Sequence, residues 1–241
     1  MTPELQTTQT VAPKSIGIVA VSPEGTRLFY AMLMRLAGRR FGWARVPDVA
    51  VHGRALGLYI DRAEAGDWVG VADLLVESSE RLAAAGCAFV LCPDHVVQPA
   101  IHLAEERSPV PWLRMTGMVA DRVVAAGYET VGVLGTREAM FGSAYQTVLG
   151  LRGVKVQVPS EIDAAAVHDA HFAELIFGVA SGETKRRFRE VVGRLADAGS
   201  QAAIIASSEI PLALDADGSR LPLVDANEVL ALGALDRAAG G

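Results

Sequence analysis

Apolar residues in this chain come in short runs separated by polar loops and by longer stretches with helical spacing. Residues 15–21 (SIGIVAV) are almost wholly apolar and β-branched, the pattern of a strand buried on both faces. A polar loop, residues 22–26, precedes apolar residues at helical spacing over 27–39. The same alternation continues. Residues 67–85 predict an amphipathic helix closed by Gly86, and residues 88–91 a strand running into Cys92-Pro93-Asp94-His95. Residues 109–113 form a short link, and 115–126 a helix. Residues 130–134 predict a strand, 139–149 a helix, 154–158 a strand, 164–181 and 183–198 two helices, 202–205 a strand and 227–238 a closing helix. Strands that alternate with helices specify an α/β protein with parallel sheet.

A weak internal repeat refines this picture. Leu82-Ala83-Ala84-Ala85-Gly86 matches Leu195-Ala196-Asp197-Ala198-Gly199, and residues 15–21 resemble 130–135. Counting eight residues on from each glycine reaches Asp94 in one half and Ser207 in the other. Two similar lobes are therefore expected, each a parallel sheet flanked by helices, related by pseudo-two-fold symmetry around a cleft. Residues 15–116 with 220–241 form the first lobe and 117–219 the second, after a disordered lead-in over 1–14. The plainer reading is that any two βα units look alike.

Such a cleft is lined by loops at the carboxyl ends of strands, where α/β proteins bind ligands. Four loops qualify: residues 22–26, 92–95, 135–137 and 206–209. Free N–H groups at helix starts suit an anion. Ser22, Thr26, Thr136, Ser207 and Ser208 offer hydroxyl donors, and Arg137 a guanidinium fork for a carboxylate. Each hydroxyl is also an ordinary helix cap. Neither GxxxxGK[ST] nor GxGxxG occurs, which disfavours a nucleotide cofactor.

Charge and composition remove other classes. Net charge is −6, with no basic block, so nucleic acid is not an expected partner. No apolar run approaches the roughly 18 residues of a membrane span. Cys87 and Cys92 are the only cysteines, too few for a disulfide scaffold or a zinc site, and no metal is expected. A cytoplasmic location is the expectation.

The loops also resemble a family. Ser22-Pro23-Glu24-Gly25-Thr26-Arg27-Leu28-Phe29-Tyr30 is similar to the Gly-Pro-Glu-Ala-Thr loop and following segment of the aspartate/glutamate racemases. Val133-Leu134-Gly135-Thr136-Arg137, with Met140 and Tyr145, fits their central loop. Ala206-Ser207-Ser208-Glu209-Ile210-Pro211-Leu212 stands where they carry Gly-Cys-Thr-Glu-Ile-Pro-Leu, and Asp225 precedes an Ala-rich helix. The resemblance covers roughly residues 15–239 and extends to maleate isomerase and arylmalonate decarboxylase.

The resemblance implies cofactor-independent proton transfer on a small carboxylate or amino acid, without metal; a homodimer is the separate expectation, since exposed apolar helix faces in such chains often bury in a dimer. In the family, two cysteines flank the substrate's α-carbon. Here Asp94 and Ser207 replace both thiols, and His95 replaces an asparagine. Cys92 falls two residues before the expected position, and as a neighbour of Leu91 it reads as a buried structural thiol. Asp94, His95 and Ser207 are the catalytic candidates. Ser22, Thr26, His52, Arg54, Cys92, Thr136, Arg137, Ser208 and Glu209 are the binding candidates, with His52 and Arg54 near the substrate's side-chain end. A hydroxyl needs an adjacent base to act on a proton. Three readings follow: one-sided isomerisation, epimerisation or lyase-type chemistry, racemisation with non-thiol residues, or a carboxylate-binding protein without catalysis.

Overall fold

The structure is a computed structural model and describes residues 12–240. Most of the expected lead-in lies outside the described residues. Within them, the Lys14 N–H donates to the Ala238 carbonyl at 2.8 Å, so the chain is anchored before its first strand begins.

The first half runs β1 (Ile16–Ala20), α1 (Pro23–Phe41), β2 (Val49–Gly53), α2 (Leu56–Glu64), α3 (Trp68–Ala84), β3 (Phe89–Leu91) and α4 (Ile101–Glu105). The second adds α5 (Met115–Ala125), β4 (Thr130–Gly135), α6 (Arg137–Phe141), α7 (Ser143–Gly150) and β5 (Lys155–Gln157). It closes with α8 (Glu161–Ala173), α9 (Gly182–Asp197), β6 (Ala202–Ala206), β7 (Leu223–Asp225) and α10 (Ala226–Ala238). Two all-parallel sheets result, in the orders β2-β1-β3 and β5-β4-β6-β7. A parallel bridge between Val90 and Trp112 gives β3 an outer neighbour where β6 has β7, so the two sheets share one strand order.

The sequence repeat has a packing cause. Gly17 of β1 and Gly132 of β4 sit at equivalent central positions. A Cβ on Gly17 would meet Val90 at 2.8 Å and Leu82 at 3.2 Å; one on Gly132 would meet Leu195 at 2.8 Å. Leu82 and Leu195 are the first residues of the repeated segment. Each glycine thus clears a seat for the leucine of the covering helix. Each segment ends at a glycine with positive φ, 86° at Gly86 and 96° at Gly199, where other residues are strained. Leu82 and Leu195 are 2% and 3% exposed. Leu82→Ala and Leu195→Ala should each lower stability by about 2–4 kcal/mol in urea unfolding, since neither glycine can fill the void.

Both faces of each sheet are covered. One apolar cluster joins the sheets: Ile18 and Leu91 of the first and Val133 and Ile204 of the second pack with Phe29, Val119 and Leu230 of α1, α5 and α10. Val71 and Leu75 of α3 cover the other face of the first sheet, and Phe188 and Val191 of α9 that of the second. No helix among the described residues is long and apolar enough to cross a membrane.

Local differences from the sequence reading have local reasons. The loop expected over residues 22–26 is the cap and first turn of α1. Ser22 is the N-cap and its Oγ accepts the Gly25 N–H at 3.1 Å, with Pro23 in the first turn. The single helix expected over 139–149 is two, broken where Gly142 is extended (φ −71°, ψ 166°). The helix expected over 164–181 stops at Ala173, because the Glu174 carboxylate accepts the N–H and hydroxyl of Ser181 and folds the chain back.

Candidate functional site

The carboxyl ends of β1, β3, β4 and β6 deliver the four anticipated loops to one place. An inner cleft there is lined by Ser22, Asp94, His95, Thr136, Ser207, Ser208 and Glu209. Leu56, Ile60, Val96, His171, Phe172, Ile176 and Ala206 complete its wall. Its free space is about 30 Å³, enough for a water or two and too little for an amino acid, so a ligand must widen it. It shares Ile60, Val96 and Phe172 with an outer chamber of about 570 Å³.

Asp94 anchors one wall. Its Oδ2 accepts the Ser22 N–H at 3.1 Å and its Oδ1 the Val96 N–H at 2.9 Å. Gln98 fixes the loop by donating its amide to the carbonyls of Asp94 (2.8 Å) and Cys92 (3.2 Å). Burial, helped by the negative charge of Glu209, pushes the Asp94 carboxyl up from 3.8 to about 7.

The opposite wall is built on Glu209, which is 3% exposed. Its Oε1 accepts the Ser22 hydroxyl at 2.6 Å and its Oε2 the Ser207 hydroxyl at 3.0 Å. Gly25 makes this approach possible, because a Cβ there would lie 2.8 Å from the Glu209 carboxylate. The carboxylate of the second sheet's loop therefore rests on the N-terminus of α1, where the helix dipole favours negative charge. Ser207 Oγ also lies 3.3 Å from His171 Nδ1. A hydroxyl has one proton, and Ser207 gives it to Glu209, so the His171 contact is satisfied by a proton on Nδ1. Burial lowers the pKa of His171, against the pull of Glu209. Asp94, Ser22, Glu209, Ser207 and His171 thus form one hydrogen-bonded chain across the cleft.

Between the walls, among the described residues, two buried polar atoms have no hydrogen-bond partner. His95 is 6% exposed, with Nδ1 3.3 Å from the Tyr145 hydroxyl and Nε2 buried and unpartnered. Burial and the neighbouring His171 push its pKa down to about 3, so the ring is neutral at physiological pH. Thr136 Oγ1 is buried without a partner and Thr136 is 2% exposed. Buried polar groups are normally paired, so these two atoms are free to bond polar atoms of a ligand. Ser208 ties the two walls, donating to the Pro93 carbonyl at 3.1 Å and accepting from Asn227 Nδ2 at 2.6 Å.

The structure does not bring every candidate here. Arg137 pairs with Glu161 at 3.0 Å and stacks over Phe141, away from the inner cleft. Arg54 pairs with Glu77, and His52 Nδ1 lies 3.1 Å from the Ser78 hydroxyl. Cys92 is buried in the core beside Val90 and Trp112, where burial raises its thiol pKa well above the usual value. Thr26 sits a turn into α1, its hydroxyl buried and unpartnered but off the cleft wall. Sequence reasoning missed His171 and Asn227. His168 and His171, three apart, share a helix face, and that spacing was the available signal.

Two like-ordered parallel sheets, with a polar cleft at the carboxyl ends of their strands, define a two-lobed α/β protein. Residues 18–233 match the family model for Asp/Glu/Hydantoin racemase, and the chain belongs to that family. It is similar to a candidate Asp/Glu racemase from Yersinia pestis, with 25% identity and a TM-score of 0.84, covering 93% of this chain and 99% of that one. An aspartate racemase homologue from Pyrococcus horikoshii has 21% identity and a TM-score of 0.82, covering 94% and 99%. Glutamate racemase from Francisella tularensis, in complex with D-glutamate, has 15% identity and a TM-score of 0.68, covering 94% and 81%. The last two show the common fold.

Proposed function

We propose that the chain is a cofactor-independent racemase- or epimerase-type enzyme acting at the carbon α to a carboxylate, with Asp94 on one wall and Ser207 on the other. The observation that carries the reading is the hydrogen-bonded chain from Asp94 through Ser22 and Glu209 to Ser207 and His171. Family membership supports a small amino acid as substrate.

The step balances. Ser207 Oγ takes the α-proton as its own hydroxyl proton passes to Glu209 Oε2, which supplies the adjacent base that a hydroxyl needs. The electron pair left on carbon spreads into the substrate carboxylate. In the tautomer this step requires, the Tyr145 hydroxyl donates to Nδ1 of His95 and the His95 proton sits on Nε2 to bond the developing oxyanion, with Thr136 Oγ1 as a second donor. His95 then acts as a neutral hydrogen-bond donor to the oxyanion. Asp94, with a pKa of about 7, holds a proton near neutrality and returns it to the opposite face of the carbon. Ordinary exchange with water moves the proton from Glu209 back to Asp94. In the reverse direction Asp94 removes the proton and Ser207 delivers it.

The test is solvent-deuterium exchange at the α-carbon, read by proton NMR over paired D- and L-amino acids. Both enantiomers of one substrate should take up deuterium. Uptake by one enantiomer alone, or a new product, would replace this reading with one-sided chemistry. Binding without any exchange would leave a binding protein.

A further inference from the structure

The outer chamber carries information about the substrate that the reacting groups do not. Its walls are Ile60, Ala63 and Glu64 of α2, Val96, Glu138 of α6, and His168, Asp169, Phe172 and Ala173 of α8. Its volume of about 570 Å³ suits a small-molecule site. Ile60, Val96 and Phe172 belong to both spaces, so a molecule whose carboxylate meets His95 and Thr136 extends its other end into this chamber. The buried, unpartnered His95 Nε2 and Thr136 Oγ1 are an independent sign that the inner end holds a ligand.

Three carboxylates ring the outer chamber: Glu64, Glu138 and Asp169. Among the described residues, none of the three is in an ion pair with Lys or Arg, and no Lys or Arg lines either space. The nearby guanidiniums are committed elsewhere, Arg137 to Glu161 and Arg62 to the Leu58 carbonyl. Phe172 places its ring against His168 and His171, at centroid distances of 4.8 and 5.0 Å, and forms an apolar floor. A second carboxylate here would meet negative charge and no counter-ion. An aliphatic arm would contact Ile60, Ala63, Val96 and Phe172, and a cation at its end would reach the acidic rim.

We propose that the outer chamber selects an α-amino acid with a long side chain ending in a cation, of the lysine or ornithine type, over a dicarboxylate. This rests on the proton-transfer reading for the orientation of the substrate, and it departs from an acidic substrate. Calorimetric binding separates the two claims because it needs no turnover. Lysine, ornithine, norleucine and glutamate would be titrated into the wild-type protein and the Glu64→Gln, Asp169→Asn double variant. Lysine or ornithine should bind about 5-fold or more tighter than norleucine, with glutamate weakest. The double variant should bring lysine to the level of norleucine while norleucine itself changes little. Tightest binding of glutamate, equal binding of lysine and norleucine, lysine binding that ignores the double variant, or no binding at all would each overturn the proposal. Selective lysine binding without α-hydrogen exchange would uphold it and remove the proton-transfer reading instead. Exchange confined to glutamate would do the reverse.

Discussion

Asp94→Asn should stabilise the protein above pH 7 while stopping interconversion of enantiomers. The folded protein holds the Asp94 proton up to about pH 7, whereas an unfolded chain releases it near 3.8. Between those values the folded state binds more protons, so this group's contribution to stability falls as pH rises through the window. The difference amounts to about 4 kcal/mol at most once pH exceeds 7, at 1.36 kcal/mol per pH unit. Asparagine removes that penalty but loses one of the two carboxylate oxygens that accept the Ser22 and Val96 N–H groups, at a cost of about 1–2 kcal/mol. The net gain should be about 2 kcal/mol at pH 8.

His95 works in the other direction. Its folded pKa of about 3 lies below the ordinary 6.5, so the stability it contributes is present above pH 6.5 and is lost as pH falls below it. The lowered pKa of His171 adds to the same acid loss. Asp94 and His95 therefore oppose each other between pH 4 and 6.5, and the wild-type protein should show a shallow profile there. Asp94→Asn exposes the histidine contribution, giving a steep fall in urea midpoint from pH 6.5 to 4. His95→Gln exposes the aspartate, and its midpoint should rise as pH falls from 7 to 4. Parallel profiles for all three proteins would show that neither side chain is held as described.

The rhythm of the fold was legible because a strand covered on both faces must be apolar throughout. The segments around Ile16, Val131 and Ile204 announce themselves in that way. The edges were not. β2 and β7 are partly exposed and carry polar residues, His52 and Asp225, so they lack the wholly apolar pattern of a strand buried on both faces. Asp94, Ser207, Ser22 and Thr136 were legible because they follow strands, and a parallel sheet gathers its strand ends. His171 was not, because it arrives from the helix α8 and meets Ser207 only when that helix packs. Arg137 was misleading for a related reason. It follows a strand, as a site residue should, but its side chain is taken by Glu161 at the start of that same helix. The sequence shows which charges lie near a loop and does not show which are already paired.

Ser207 and Glu209 should behave as one catalytic unit, and that can be measured. Ser207→Ala removes the hydroxyl that donates to Glu209 Oε2 and would relay the α-proton to it, so interconversion should fall by about 10²–10⁴-fold. Deuterium uptake should survive in one enantiomer only, the one whose α-hydrogen faces Asp94. Glu209→Gln should produce a loss of similar size, because a serine hydroxyl without its base cannot take the proton. The double variant should then be little worse than either single one, since each change disables the same relay. Glu209→Gln carries a second signature. Its negative charge helps to raise Asp94, so its removal should move the Asp94-dependent limb of the pH–rate profile to lower pH. Ser207→Ala leaves that charge in place and should not move the limb. A role confined to packing predicts neither the selective survival of one enantiomer nor the displaced limb. Additive losses, with both enantiomers still exchanging, would separate Ser207 from Glu209 and return the proton transfer to Asp94 alone.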